Sequence, residues 1–351
     1  MPAVLRFLTL VLALCFAPAA LAQPPAEPPV PIEQPAAPTA APVRSGPAEV
    51  KVGIYINDIQ SIDLHAYSFV ADVYLWFRDK DAEIVPGKSF EWMNMFAPDD
   101  HVQTDIDPEP VPQSDGSAYQ VFRHQGPFAA KFSVKTYPFD AHNLTIEIED
   151  QEWAADRLVY SVDQVAINPD IQLPGFIIGQ PTMEVRNRPY PTTFGDIDLA
   201  QPEPYSRVVV TLPISRPVVS GITKSLLPVF IVVLVAAAAL LLKPEHIEAR
   251  VGLSITALLT LVALQFSAQA GLPDVGYLLM LDQIYLASYG FVLLVVALLV
   301  MTPGNTGDEK QLAAAHSLAR GGVGTALLSI LLYTAVIALI LWLNLSSPAN
   351  A

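Results

Sequence analysis

The chain has 351 residues, of which 52% are hydrophobic and 15% charged, with a mean hydropathy of +0.40, so one part suits lipid and another suits water. Its formal net charge is −15 and no basic stripe exists to meet phosphate, which excludes a nucleic-acid-binding role. No paired nucleophile and base, metalloprotease helix motif or glycine-rich phosphate loop occurs, so the sequence does not read as an enzyme.

The first 22 residues carry Arg6, an apolar core from Phe7 to Phe16 and a small-x-small end at Ala20-Leu21-Ala22, the pattern of a cleaved secretory signal. Cys15, the single cysteine, lies in that core and leaves with it. Acylation of Cys15 is the alternative, opposed by bulky Leu14 where such sites want a small residue. The exported chain then folds without disulfides, which suits a bacterial periplasm and inner membrane. Residues 23–48 include nine prolines among alanines and read as a disordered tether.

From Glu49 to Ser215 the pattern changes to short runs rich in Val, Ile, Tyr and Phe, broken by Pro, Gly, Asp and Asn. Val50–Ile54, Phe69–Phe77, Tyr119–Arg123, Ala130–Lys135, Leu144–Glu149, Leu158–Val162, Phe176–Gly179, Thr182–Arg186 and Val208–Ile214 are predicted strands. About nine strands without an amphipathic helix predict an all-β sandwich, and the alternation in Thr145-Ile146-Glu147-Ile148-Glu149 puts one face of that strand in water. Between residues 45 and 215 the sequence holds 26 Asp plus Glu against 11 Lys plus Arg, a difference of −15 that equals the charge of the whole chain. The acidity therefore belongs to this domain, where it concentrates cations or serves as a solvated surface.

Asp99, Asp100, His101, Asp105, Asp107 and Glu109 form the densest cluster. Such oxygen ligands could hold a hard divalent ion, so calcium modulation through Asp99, Asp100, Asp105 and Asp107 is one expectation, although no other cofactor is required. A solvated loop is the other, since the spacing lacks the glycine of a calcium loop and prolines interrupt it.

After Arg216-Pro217 four apolar stretches follow: 218–242 with Lys224 as its only charge, 249–270, 275–301 with Asp282 as its only charge, and 321–345 with none. Each is long enough to span a bilayer, which predicts a four-helix all-α transmembrane domain over 216–345. With the sandwich outside, Lys243, Arg250, Lys310 and Arg320 fall on the cytoplasmic side, as the positive-inside rule expects, and 302–320 is a short cytoplasmic segment. Pro228 removes one backbone bond that neighbouring helices re-satisfy. Asp282 is costly in a span unless paired, with Lys224 the expected partner.

The second stretch is uncharged from Val251 to Leu272 yet carries Ser254, Thr256, Thr260, Gln265, Ser267 and Gln269. Steps of four and three place Glu248, Gly252, Thr256, Leu259, Ala263, Phe266 and Ala270 on one narrow stripe. The stripe reads either as a helix-packing seam or as a pore wall with a charged ring and an apolar gate.

Three further stretches carry a resemblance. Tyr137-Pro138-Phe139-Asp140, with His142 and Leu144, is similar to an aromatic-Pro-Phe-Asp signature loop. Ile214-Ser215-Arg216 leading to Pro228 resembles a last strand, junction arginine and first-helix proline. Glu248 to Leu261, followed by Leu272-Pro273, Tyr277 and Asp282, resembles a pore helix and the turn beyond it. Together, over residues 49–345, the chain resembles the bacterial, cysteine-less members of the pentameric ligand-gated ion channels, the Cys-loop receptor superfamily. His142 stands where Gln is usual, and Gly252 where a hydroxyl is frequent.

The resemblance implies a homopentamer around a central pore, a ligand-gated and cation-conducting channel opened by a small-molecule or proton agonist, with membrane lipid and permeant cations as its other partners. It makes Glu248 the inner selecting ring, Gly252 and Thr256 the narrow half, and Leu259, Ala263 and Phe266 the gate. Coupling would run through Tyr137, Pro138, Phe139, Asp140 and Arg216 onto Pro273, Val275 and Tyr277. The ligand pocket would draw on Trp92, Trp153, Tyr190, Phe194 and Tyr205, an aromatic cage able to hold an ammonium. A non-conducting, membrane-anchored sensor of the same outer domain is the competing reading. Against it, an anchor needs one span, and 302–320 is too short for a signalling domain.

Overall fold

Residues 46–81, 83–199, 201–301 and 309–346 are described by the computed structural model; the expected signal, almost all of the expected tether and residues 302–308 lie outside them. The strands are β1 (Ala48–Asp63), β2 (Ser68–Asp79), β3 (Phe90–Trp92), β4 (Val102–Asp105), β5 (Val111–Pro112), β6 (Ala118–Ala129), β7 (Ala141–Asp150), β8 (Leu158–Ile167), β9 (Ile177–Ile178), β10 (Thr182–Pro189) and β11 (Pro204–Ser215). One sheet runs β4-β6-β2-β1-β8, with β5 on β6. The other runs β10-β11-β7-β3, with β9 on β11. Every pairing is antiparallel except β1 with β8.

The sandwich follows from alternation. Val50, Val52, Ile54 and Ile56 of β1, Val73, Leu75 and Phe77 of β2, Leu144, Ile146 and Ile148 of β7, and Val208, Val210 and Leu212 of β11 all turn inward and are buried. Phe77, Phe90, Phe122 and Tyr160 pack as edge and tilted ring pairs 5.1–6.1 Å apart in the middle. Sequence pattern missed β3, β4 and β5, which are too short to show a period. It also placed a strand at Ala130–Lys135 that is not one. Ala130, Phe132 and Val134 do alternate inward, but the chain there is extended without a ladder partner, since alternation reports one-sided burial and not pairing.

Four helices are long and apolar enough to cross a membrane: Val218–Ala238, Ile247–Gln269, Met280–Met301 and Val323–Leu345, the last being the C-terminal part of a helix over Glu309–Leu345. The first widens into one π turn at Ile222–Leu226, just before Pro228, which is how this helix absorbs the missing N–H. The third begins five residues later than hydropathy predicts, because Leu272 and Leu279 are buried in the sandwich's own apolar cluster and the Met280 N–H donates to the Lys135 carbonyl at 2.9 Å. Asp282 closes that start: its carboxylate accepts from the Leu279 N–H at 3.1 Å and from Gln269 Nε2 at 3.2 Å. These are its partners, and the expected ion pair with Lys224 does not form.

Asp79, at the end of β2, is 7% exposed, and burial, then the nearby Asp81 charge, push its pKa up to about 6 against the Asp81 N–H that pulls it down. The folded chain therefore holds this proton more tightly than the unfolded one, so stability is lost as pH rises from about 4 through about 6. Asp79→Asn, whose Oδ1 can keep the bond from the Asp81 N–H, should raise the unfolding free energy above pH 6 by on the order of 2–3 kcal/mol and change little below pH 4. Unfolding midpoints of the detergent-solubilised protein at pH 7.5 and pH 4 check it, and equal effects at both pH values would contradict it.

Candidate functional site

The second membrane helix separates its residues into two faces. Arg250, Ser254, Ala257 and Leu261 are buried against the chain's other helices, while Glu248, Gly252, Thr256, Leu259, Ala263, Phe266 and Ala270 all turn away from them. Leu259 is 65% and Phe266 70% exposed in the single chain. The polar residues divide accordingly. Gln265 accepts from the Tyr289 hydroxyl at 2.6 Å, Gln269 reaches Asp282 and Ser254 donates to the Arg250 carbonyl at 3.1 Å, so these three are spent on packing. Thr256 and Thr260 stay exposed, their hydroxyls turned back onto the Gly252 and Thr256 carbonyls at 2.9 and 2.8 Å. Arg250 Nε donates to the Ala239 carbonyl at 3.1 Å and pins the start of this helix to the end of the first.

At the sandwich base Asp140 is wholly buried between Arg216 and His142. Its Oδ1 accepts from Arg216 Nε at 2.8 Å and its Oδ2 faces His142 Nε2 at 2.6 Å, while the Arg216 backbone N–H donates to the Asp140 carbonyl at 3.0 Å. Burial raises the Asp140 pKa, but the His142 hydrogen bond and the Arg216 charge outweigh it, and the net shift is downward. The guanidinium lies over the Phe176 ring at 4.5 Å and the Tyr137 ring at 5.1 Å. Tyr137, joined to Pro138 by a cis bond, packs against both the sandwich cluster and the membrane-helix cluster, and Phe139 packs against the latter. A Cβ on Gly221 would come within 2.9 Å of Phe139 Cε1 and of the Pro138 carbonyl, so the first helix meets this loop by lacking a side chain there. Pro273 is buried, Val275 packs on the sandwich cluster, and Tyr277 is exposed.

The expected ligand residues come together only in part. Tyr190 makes T-shaped contacts with Phe194 at 5.3 Å and Tyr205 at 5.8 Å, beside the β10–β11 loop. Beneath them the Tyr190 hydroxyl donates to Glu149 at 2.7 Å, and Arg207 donates to Glu149 at 2.5 Å, to Glu147 and to the Tyr190 oxygen at 2.8 Å. Burial first and Glu149 second raise the Tyr190 pKa. Burial, then Glu149 and Asp150, also raise that of Glu91, which faces Glu149 across β3 and β7. A cleft of about 370 Å³ adjoins this patch, lined by Glu147, Glu184, Arg186, Arg188 and Arg207. Trp92 is elsewhere. It is 7% exposed and sits in the sandwich core among Phe90, His124 and Phe128, because its β3 neighbour Glu91 takes the outer face. Trp153 stacks under Arg157 at 4.9 Å and joins no ring of the Tyr190 group.

Pattern reading named none of Glu147, Glu149 and Arg207 as site residues. The alternation of β7 had put both glutamates on one face, and Arg207 follows Tyr205 by two residues onto that same face. Of the acidic cluster, Asp99 and Asp100 lie on the Pro98–Asp100 turn, Asp105 ends β4 and Asp107 follows it, and among the described residues no three metal-ligating side chains converge.

No family model matches the chain. It is 27% identical over 188 residues to a gamma-aminobutyric acid receptor subunit beta-like of Drosophila melanogaster, covering 53% of this chain and 35% of the relative. It is 25% identical over 295 residues to a proton-gated ion channel of Gloeobacter violaceus, covering 80% of this chain and 79% of the relative. The gamma-aminobutyric acid receptor subunit alpha-2 of Bos taurus is 22% identical over 191 residues, covering 51% of this chain and 39% of the relative. The chain thus spans only about a third of the length of the receptor subunits it matches and about four fifths of the proton-gated channel. These relatives are channels and receptor subunits, not enzymes.

Proposed function

We propose, from the premise that this multi-pass membrane protein belongs to the Cys-loop superfamily of pentameric ligand-gated ion channels, that five copies of it surround a pore that a ligand opens. The observation that carries this reading is the second helix, whose stripe from Glu248 to Phe266 is left free by the chain's own helices. Five carboxylates at the inner mouth would draw cations, and rings of Leu259 and Phe266 would expel water from the closed pore. The sandwich lies in the periplasm and the helices in a bacterial inner membrane, a placement supported by the signal at residues 1–22 and by the basic residues between spans. The agonist is a small amine, taken up where the Tyr190, Phe194 and Tyr205 rings stand over Glu149 and Glu91, or a proton.

Glu248→Gln should move the reversal potential in a salt gradient from the cation side to near zero, with conduction kept. An unchanged reversal potential would remove Glu248 from selection. A wild-type protein that passes no ions under any amine or pH step would favour the non-conducting sensor.

A further inference from the structure

The pore stripe, the junction and the aromatic patch leave unused the paired histidines His101 and His124. His124 of β6 is 1% exposed, and its Nε2 lies 2.7 Å from His101 Nδ1, whose ring in turn places Nε2 2.8 Å from the Phe96 carbonyl oxygen. A carbonyl only accepts, so in the neutral pair His101 Nε2 carries the proton and donates to Phe96. His101 Nδ1 is then the bare acceptor and His124 Nε2 donates to it. One carbonyl fixes both tautomers, and it leaves His124 Nδ1 unprotonated and, among the described residues, without a partner.

The surroundings are built for this contact. A Cβ on Gly126 would lie 2.2 Å from His101 Nδ1, so only glycine lets the ring reach β6 here. Phe128 flanks both imidazoles at 5.6 and 5.8 Å, and Trp92 lies 4.5 Å from His124. The Trp92 Nε1–H is itself buried without a partner among the described residues, so the other unpaired group in this aromatic box is a donor and not an acceptor. The loop that His101 closes joins the two sheets. The Met93 N–H donates to Glu147 O at 2.8 Å, Asn94 Nδ2 bridges to Ala129 O and Thr145 O at 2.9 and 2.7 Å, and the Phe96 N–H donates to Pro127 O at 3.0 Å. Glu91, one residue before Trp92 on β3, belongs to the acidic patch.

The neutral pair holds two N–H protons and the charged pair three. A third proton on His101 Nδ1 sets N–H against N–H, unless the His124 proton moves to Nδ1, where it becomes a buried donor with nothing to receive it. The first route breaks the contact, and the second keeps it only by burying the His124 Nδ1–H without an acceptor, beside the equally unpaired Trp92 Nε1–H. Burial and then the His101 charge lower the His124 pKa to about 4, in the same direction. The charged groups around the pair do not offset this. Asp99 and Asp100 precede His101, Asp105 ends β4, Asp72 and Arg123 are paired with each other on the far face of the sheet, and Glu91, Glu147 and Glu149 lie on the outer face of the opposite sheet. None of them hydrogen-bonds to either ring.

We propose that the His101–His124 pair is a proton-binding site that clasps the Met93–His101 loop onto β6 at neutral pH and releases it in acid, loosening β3 beneath the ligand patch. This rests on reading the sandwich as the agonist domain, and it names the proton as a ligand acting there. The clasp is complete above the ordinary imidazole range near 6.5 and is lost as pH falls from there through about 4, the release constant rising up to about tenfold per pH unit.

The test follows hydrogen–deuterium exchange of the segment 93–101 in the full-length protein from pH 7.5 to 4.5, corrected for intrinsic rates, beside ion flux from liposomes. His101→Gln can still donate and accept but does not titrate there. The wild type should lose protection at the Phe96 amide as pH falls, and His101→Gln should keep it and lose the acid component of the flux. Equal pH dependence of exchange in both proteins would overturn the clasp. Absence of flux with the exchange step intact would instead overturn the channel reading alone.

Discussion

Arg216→Gln should silence ligand-evoked current while leaving ligand binding near wild type. Asp140 has no access to water, and its charge is tolerated through two side-chain contacts, one of them the Arg216 guanidinium. Removing one partner of a buried pair costs about 3–5 kcal/mol, whereas coupling between distant sites is typically about 1–3 kcal/mol, so the loss exceeds what the junction has to transmit. Arg216 also ties the end of β11 to the signature loop through its backbone, and it holds Tyr137 and Phe176 by their ring faces. Tyr137 touches both apolar clusters, so the side chain that Arg216 steadies is the one that bridges sandwich and helices. The opening constant should fall 100-fold or more. Arg216→Lys keeps the charge but not the planar stack, so it should be intermediate. Current recording beside a binding assay with the same agonist checks both halves, and a normally gating Arg216→Gln would take the pair off the route.

Leu259→Ser should have the opposite sign. In the proposed five-fold assembly a ring of leucines halfway along a narrow pore would exclude water, and hydroxyls in their place would hydrate the closed gate. Ligand-free leak should appear, and activation should shift to agonist concentrations at least about tenfold lower. Leu261→Ser is the control on the other face: with Leu261 fully buried, the change should cost stability by about 2–5 kcal/mol and not open the pore. A Leu259→Ser protein with unaltered activation would remove Leu259 from the gate.

Legibility differed between the parts for physical reasons. Long periodic elements were readable, because inward alternation of β1, β2, β7 and β11 and uninterrupted apolar runs are properties of the sequence alone. The start of the third helix was not, since hydropathy cannot tell Leu272 and Leu279 in a sandwich core from the same residues in lipid. Trp92 looked like a pocket residue until β3 set its side, and three residues carry no period from which to infer a side. The junction was legible as a motif that holds Asp140, His142 and Arg216, but the direct pairing of Asp140 with Arg216 depends on a contact 76 residues apart. The Phe96–His101–His124 chain had no local signal, because it rests on where β4 and β6 pair.

The most direct measurement is cysteine accessibility, in a chain whose single native cysteine is Cys15. Thr256→Cys and Ser254→Cys are made separately, and a charged, water-borne thiol reagent is applied during opening while current is recorded. The account predicts rapid, irreversible block at position 256 and none at 254. Block at 254 with position 256 untouched would mean that the stripe faces away from water, and the channel reading of this helix would be wrong.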